Sequence, residues 1–184
     1  MKPTDTLREH HRVINLMLDI LKNICRTLES GETVRPEDLD SILAVIRSLV
    51  GPHQTRGENL VLSACEGHGI SRESGAMPPM MTERNILLEH VRNLRDAVAA
   101  YRKGDRGATD KIILTGRSYI TLLRHQMEIE EQDIHPRLDI YQTTEQHCET
   151  ASKLEQPEID IRNEALQTLW QLKERYLAHS WQSQ

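Results

Sequence analysis

Apolar residues recur at steps of three and four along four long stretches of the chain, and this spacing predicts amphipathic α-helices. The first row of this kind comprises Leu7, His10, Ile14, Met17, Leu21, Ile24 and Leu28. Gly- and Pro-containing segments separate the stretches, at 30–38, 67–79, 103–110 and 142–158. The alternation that marks β-strands is almost missing. The pattern therefore predicts an all-α protein.

Polar residues interrupt each of the four predicted core faces. They are His10 or His11 in the first stretch, His53 in the second, Arg84 in the third, and Gln126 with Glu130 in the fourth. His10 and His11 lie in equally good rows, so the pattern alone does not choose between them. Because an unpaired polar group inside a core is costly, we expect these side chains to meet one another. The sequence predicts an up-down four-helix bundle with a polar site inside it.

The chain divides, by these predictions, into two parts. Residues 1–141 are expected to form the bundle, and residues 142–184 a linker followed by a C-terminal helix. The last helix has one apolar side, formed by Ala165, Leu169, Leu172 and Tyr176. We expect this side to pack on the bundle or on a partner, either another protein or a second copy of the chain.

Composition and charge narrow the function classes. The 184 residues carry a net charge of −5 with both signs interleaved, which predicts no nucleic-acid partner. No stretch is apolar enough to span a membrane and the N-terminus lacks the apolar core of a signal peptide, so we expect a cytoplasmic protein without a membrane partner. Three cysteines without a CxxC spacing predict free thiols rather than disulfides or a structural zinc site.

Several motifs carry a resemblance to a known family. They are EHHRVINLMLDIL in the first predicted helix, HQTRGENLVL in the second, the loop GISRESGAM leading to the third, and LLRHQMEIEEQDIHP in the fourth. Over roughly residues 5–140 the sequence resembles the hemerythrin-like, or HHE cation-binding, family. The resemblance implies a four-helix bundle and a role related to oxygen, nitric oxide or iron, mediated by two bridged metal ions.

The family's ligand positions are only half retained. The resemblance implies that metal ligands fall on His11, His53 and Glu130. The other three ligand positions fall on Gly57, Arg84 and Gln126. Arg84 is the most damaging departure, because a guanidinium stays protonated and cannot donate a lone pair to a metal.

Because three of the six ligand positions are lost, the first hypothesis is a buried polar cluster that binds no metal cofactor. In it, Arg84 pairs with Glu130, while Gln126, His53 and His11 supply hydrogen bonds. A buried carboxylate bridged to Arg is tolerated where an unpaired one is not. The protein would then be a non-catalytic regulatory or interaction module rather than an enzyme, since no nucleophile, acid/base pair or phosphate loop is evident.

The alternative is a metal-binding protein of the same fold. A shifted site could use Glu58 and His125, because the pairs His53 to Glu58 and His125 to Glu130 share a five-residue spacing. Together with His10 or His11 these pairs could hold one ion. This set needs helices that rotate or bulge. It would hold iron, as a di-iron or mononuclear centre, or zinc, and serve in oxygen, nitric oxide or redox sensing. A third possibility is a small-ligand binder with Arg84 as the anchor for an anion.

Overall fold

The computed structural model describes residues 3–53, 55, 77–136 and 156–177, and in these ranges it contains five α-helices and no strand. The helices are α1 (Pro3–Glu29), α2 (Pro36–Val45), α3 (Met77–Arg102), α4 (Ala108–Ile129) and α5 (Gln156–Tyr176). A π-helical segment follows α2 at Ile46–Val50, and a second follows α4 at Glu130–Ile134. The predicted all-α bundle with an additional C-terminal helix is confirmed.

The helix ends follow from local chemistry. Pro36 lies in the first turn of α2, where its missing N–H has no intrahelical partner to lose, and Glu37 and Asp38 complement the helix dipole there. Gly31 follows α1 with a φ of 83°, and Gly104 follows α3 with a φ of 80°. Both glycines take the left-handed conformation that ends helices, which costs a residue with a Cβ more.

The core lies where the apolar rows predict it. Ile14, Met17, Leu21 and Ile24 of α1 are fully buried, and α4 packs against both α1 and α3. The helices α1 and α4 approach closely at Gly116, where an added Cβ would lie 2.9 Å from the sulfur of a buried cysteine in α1. The core is therefore closely packed at this crossing.

The C-terminal helix packs against α1 and α2. Its apolar side, formed by Ala165, Leu169 and Leu172, is part of the common core. At one end of this contact the buried carboxylate of Asp38 accepts hydrogen bonds from Arg175 and, at 2.8 Å, from the Tyr176 hydroxyl. The domain boundary at residue 141 lies outside the described residues and stays a prediction. Among the described helices, none is long and apolar enough to cross a membrane.

Candidate metal centre

Three buried side chains from three parts of the bundle converge on one point. His11 comes from α1, His53 follows the first π-helical segment, and Glu130 begins the second; they are 1%, 2% and 5% exposed. The Nε2 atom of His11 lies 3.0 Å from Glu130 Oε2 and 3.0 Å from His53 Nε2. The distance from His53 Nε2 to Glu130 Oε2 is 3.5 Å. The three retained positions of the family pattern thus form one cluster.

The second ring nitrogen of His11, Nδ1, fixes the orientation of the ring through a hydrogen bond. Its Nδ1 lies 2.7 Å from Glu131 Oε1, so the Nδ1–H donates to that carboxylate. This tautomer leaves the Nε2 lone pair directed at Glu130 and His53. A carboxylate that holds the outer nitrogen of a histidine is typical of metal-ligating histidines, where it fixes the ring and raises its basicity.

The charges within the cluster are strongly coupled. Burial alone would raise the pKa of Glu130, but its hydrogen bonds with His11 and His53 outweigh burial and lower the pKa to about 2. Burial likewise opposes protonation of His11, but Glu130 and Glu131 together raise its pKa above the ordinary value. Without a bound cation, the two carboxylates therefore favour the protonated form of His11.

Two further histidines lie against this cluster. The His135 ring is 1% exposed and stacks on His11, with ring centroids 5.4 Å apart and an interplanar angle of 23°. Burial lowers the pKa of His135 to about 4, so this ring is neutral at pH 7. The buried ring of His10 meets His53 edge-on at 5.7 Å. Both neighbouring rings keep water away from the three converging atoms.

The sequence did not predict that His135 and Glu131 belong to the site. The second π-helical segment explains why His135 was missed. Five residues along a regular α-helix place two side chains about 140° apart. In a π-helix the backbone bonds run from i to i+5, so Glu130 and His135 reach the same buried side. The five-residue spacing of Glu130 and His135 was the available signal.

Arg84 takes a different place from the one predicted. The described ion-pair partners of Glu130 are His11 and His53, whereas Arg84 is partly exposed and donates from Nη2 to Thr55 Oγ1 at 3.1 Å. A long arginine side chain can extend to polar surroundings, and this costs less free energy than burying the charged guanidinium. This corrects the expected cluster, because His11 and His53 rather than Arg84 contact Glu130.

The remaining predicted residues are dispersed. Gln126 is buried about one turn before Glu130. His125 has a 58% exposed side chain whose Nε2 is 4.0 Å from Glu83 Oε1, so it is not part of the cluster. His10, also of the shifted set, lies beside the site. Gly57 and Glu58 lie outside the described residues.

The cluster fits one metal ion. One donor atom each from His11, His53 and Glu130 lies within 4.8 Å of the others. Two ligand atoms about 2.1 Å from one ion and about 90–110° apart are separated by about 3.0–3.4 Å, close to the spacings found here. Among the described residues, His11, His53 and Glu130 are the one group of this kind, and Arg84 and Gln126 supply neither an imidazole nor a carboxylate for a second ion.

Comparison with known proteins agrees with this site. The sequence matches the family model described as the hemerythrin HHE cation binding domain over residues 2–138, which is more than half of the chain. No curated protein and no solved structure matches it. The family match spans all three residues of the buried cluster and the four helices of the bundle. The chain therefore belongs to the hemerythrin HHE cation-binding family.

Proposed function

We propose that this protein binds a single transition-metal ion, iron or zinc, through His11, His53 and Glu130, and serves in oxygen, nitric oxide or redox sensing. One observation carries the proposal: two imidazole nitrogens and a carboxylate oxygen converge in a buried site at the spacing of ligands around one ion. Such a set of lone pairs is costly to hold together without a cation.

The donor set suggests the chemistry of the bound ion. Two histidines and one carboxylate are typical of mononuclear non-haem iron sites, and three protein ligands of this kind also suit zinc. A bound ion would supply a Lewis-acidic centre, redox-active in the case of iron, with coordination positions left for a small ligand. Glu130 supplies the negative charge, Glu131 fixes the His11 tautomer, and His10 and His135 limit access of water.

A second candidate is the metal-free interaction module, in a corrected form. His11 lies between Glu130 and Glu131, and its raised pKa favours an imidazolium ion that forms ion pairs with both carboxylates. In this version the proton on His11 replaces the metal, and the protein acts through a surface rather than through a cofactor. Because metal binding must displace that proton, the two candidates compete for the same atoms.

Replacing His53 with Ala is expected to lower the affinity for iron(II) or zinc more than about 100-fold. Losing an outer-shell partner alone costs 10–100-fold, and losing one of three ligands costs more. The measurement is metal content of protein purified without a histidine tag, followed by titration against a competing chelator. We expect one ion per chain in the unaltered protein.

His125→Ala is the matched control, because this exposed histidine lies outside the cluster and its loss should leave the affinity unchanged. Two ions per chain would refute the single-ion site in favour of a dinuclear one. Protein that remains metal-free in the presence of added iron(II) and zinc would refute metal binding and support the metal-free module.

Replacing Glu131 with Ala is expected to weaken cation binding by about 10–100-fold, with the stoichiometry retained, because His11 loses the acceptor that fixes its tautomer. The same chelator competition measures this loss. Glu128→Ala serves as the control, since Glu128 is exposed and accepts a hydrogen bond from Gln132, outside the cluster. Equal affinities for the two variants would mean that Glu131 does not orient the ligand.

A further inference from the structure

A cavity of about 460 Å³ lies on the side of the bundle between α2, the first π-helical segment and α3, with one wall from α4. Its walls are mainly aliphatic, formed by Leu43, Ile46, Val50, Leu87, Leu88 and Val91. None of the residues that line it belongs to the candidate metal centre. A concave, mostly apolar space of this size is typical of small-molecule sites.

Tyr119 of α4 forms part of the cavity wall and has an unusual hydroxyl. The side chain is 1% exposed, and within the described residues its buried hydroxyl has no hydrogen-bond partner. Burial raises the pKa of Tyr119, so the hydroxyl keeps its proton. A buried hydroxyl without a partner is costly, and an oxygen atom of a ligand would remove that cost.

The mouth of the cavity is positively charged. Arg47, Arg92 and Arg95 line it, and Asp40, the one acidic residue among the described lining residues, is already bonded to Arg102. Arg95 bonds with its neighbour Asp96. For Arg47 and Arg92, the described part of the chain offers no ion-pair partner. Two cations are therefore available beside an apolar space, which suits a carboxylate with an apolar body.

We propose that this cavity binds a small apolar carboxylate, with the carboxylate between Arg47 and Arg92, the apolar body against the aliphatic walls, and an oxygen at the buried end bonded to Tyr119. The site is separate from the cation centre, and the proposal stands whether or not a metal is bound. It assigns the cavity to a ligand with three features: a negative charge, an apolar ring or chain, and a distal hydroxyl or carbonyl.

Three related probes separate these features: 6-hydroxy-2-naphthoate, 2-naphthoate, and the uncharged methyl ester of 6-hydroxy-2-naphthoate. We expect saturable binding of the first in a fluorescence or calorimetric titration. The second should bind about fivefold more weakly because it lacks the oxygen for Tyr119. The ester should bind about tenfold more weakly because it lacks the charge that the arginines recognise.

Variants test each contact. Tyr119→Phe should abolish the preference for the hydroxylated probe without lowering thermal stability, because it removes a hydroxyl that has no partner. Arg92→Gln should weaken both carboxylates about tenfold and leave the ester unchanged. Arg12→Gln is the matched control, since Arg12 is exposed on α1 and does not line the cavity.

Ala44 lines the cavity and is exposed, so Ala44→Trp should fill the space without disturbing the core and should abolish binding of all three probes. Binding that does not saturate, or that survives Ala44→Trp unchanged, would overturn the proposal. A hydroxyl preference that persists in Tyr119→Phe would also overturn it, because the oxygen would then contact another group.

Discussion

Cation-free protein in which Glu130 is replaced by Gln is expected to be about 3 kcal/mol less stable at pH 7 than the unaltered protein. The pKa of Glu130 falls from 4.5 to about 2 on folding, and a fall of this size corresponds to about 3 kcal/mol of stabilisation. Glutamine keeps the shape of the side chain but not the charge that His11 and His53 contact. The loss therefore reports the charged contacts rather than a cavity.

The lowered pKa of Glu130 also predicts how the stability difference between the two proteins changes with pH. Because the folded pKa of Glu130 is lowered, its contribution is complete above about pH 4.5 and is lost as the pH falls through about 2. The stability difference between the two proteins should therefore be largest near neutral pH and shrink toward pH 2. Denaturant unfolding in the presence of a chelator, at a series of pH values, measures it. Glu128→Gln provides the control, and a constant difference at all pH values would contradict the charged pair.

His135 also contributes to the pH dependence of stability, mainly between about pH 6.5 and 4. Its pKa is lowered to about 4, which means that its contribution is present above about pH 6.5 and is lost as the pH falls through 4. His11 has the opposite sign, because a raised pKa stabilises the folded protein below about pH 6.5 and ceases to do so as the pH rises through the folded value. Because Glu130 raises the pKa of both histidines, their contributions differ between the two proteins, and the change between about pH 4.5 and 2 is the part that reports Glu130 itself.

Replacing Leu169 with Ala is expected to destabilise the protein by about 2–5 kcal/mol. Leu169 is fully buried where α5 packs on the bundle, and a leucine truncated inside a core loses its transfer free energy and leaves a cavity. Trp170, the next residue, is 53% exposed and is the matched control. Trp170→Ala should cost less than about 1 kcal/mol, mainly from the loss of its contact with Lys173, whose Nζ lies 4.4 Å from the ring centroid.

The shift in the denaturant midpoint at unchanged slope measures both losses. Similar small effects of Leu169→Ala and Trp170→Ala would mean that α5 does not share the core of the bundle. Its apolar side would then be available to another protein or to a second copy of the chain, which was the other expectation for this helix. The comparison thus separates docking within the chain from docking between chains.

The apolar rows predicted the helices well, because the spacing of apolar residues along the chain shows which face of a helix is buried. The same rows predicted correctly that Gln126 and Glu130 are buried in the bundle. For the first helix, alignment with the family motif favoured His11 as the ligand, and the structure buries both His10 and His11. His135 could not be predicted from a regular helical period, because a π-helical segment changes the direction of every side chain that follows it. The contacts of Arg84 could not be predicted either. Helical spacing predicts the direction in which a side chain leaves the backbone, but the guanidinium of an arginine lies several rotatable bonds further out.

The docking of α5 has a consequence for how the chain is made. Synthesis proceeds from the N-terminus, so the three residues of the candidate cation site are translated before any part of α5. Until Leu169 and Leu172 emerge from the ribosome, the surfaces of α1 and α2 that they cover remain exposed to water and to other nascent chains. Completion of the core, and closure of the contact between Asp38 and Tyr176, therefore wait until α5 has been synthesised.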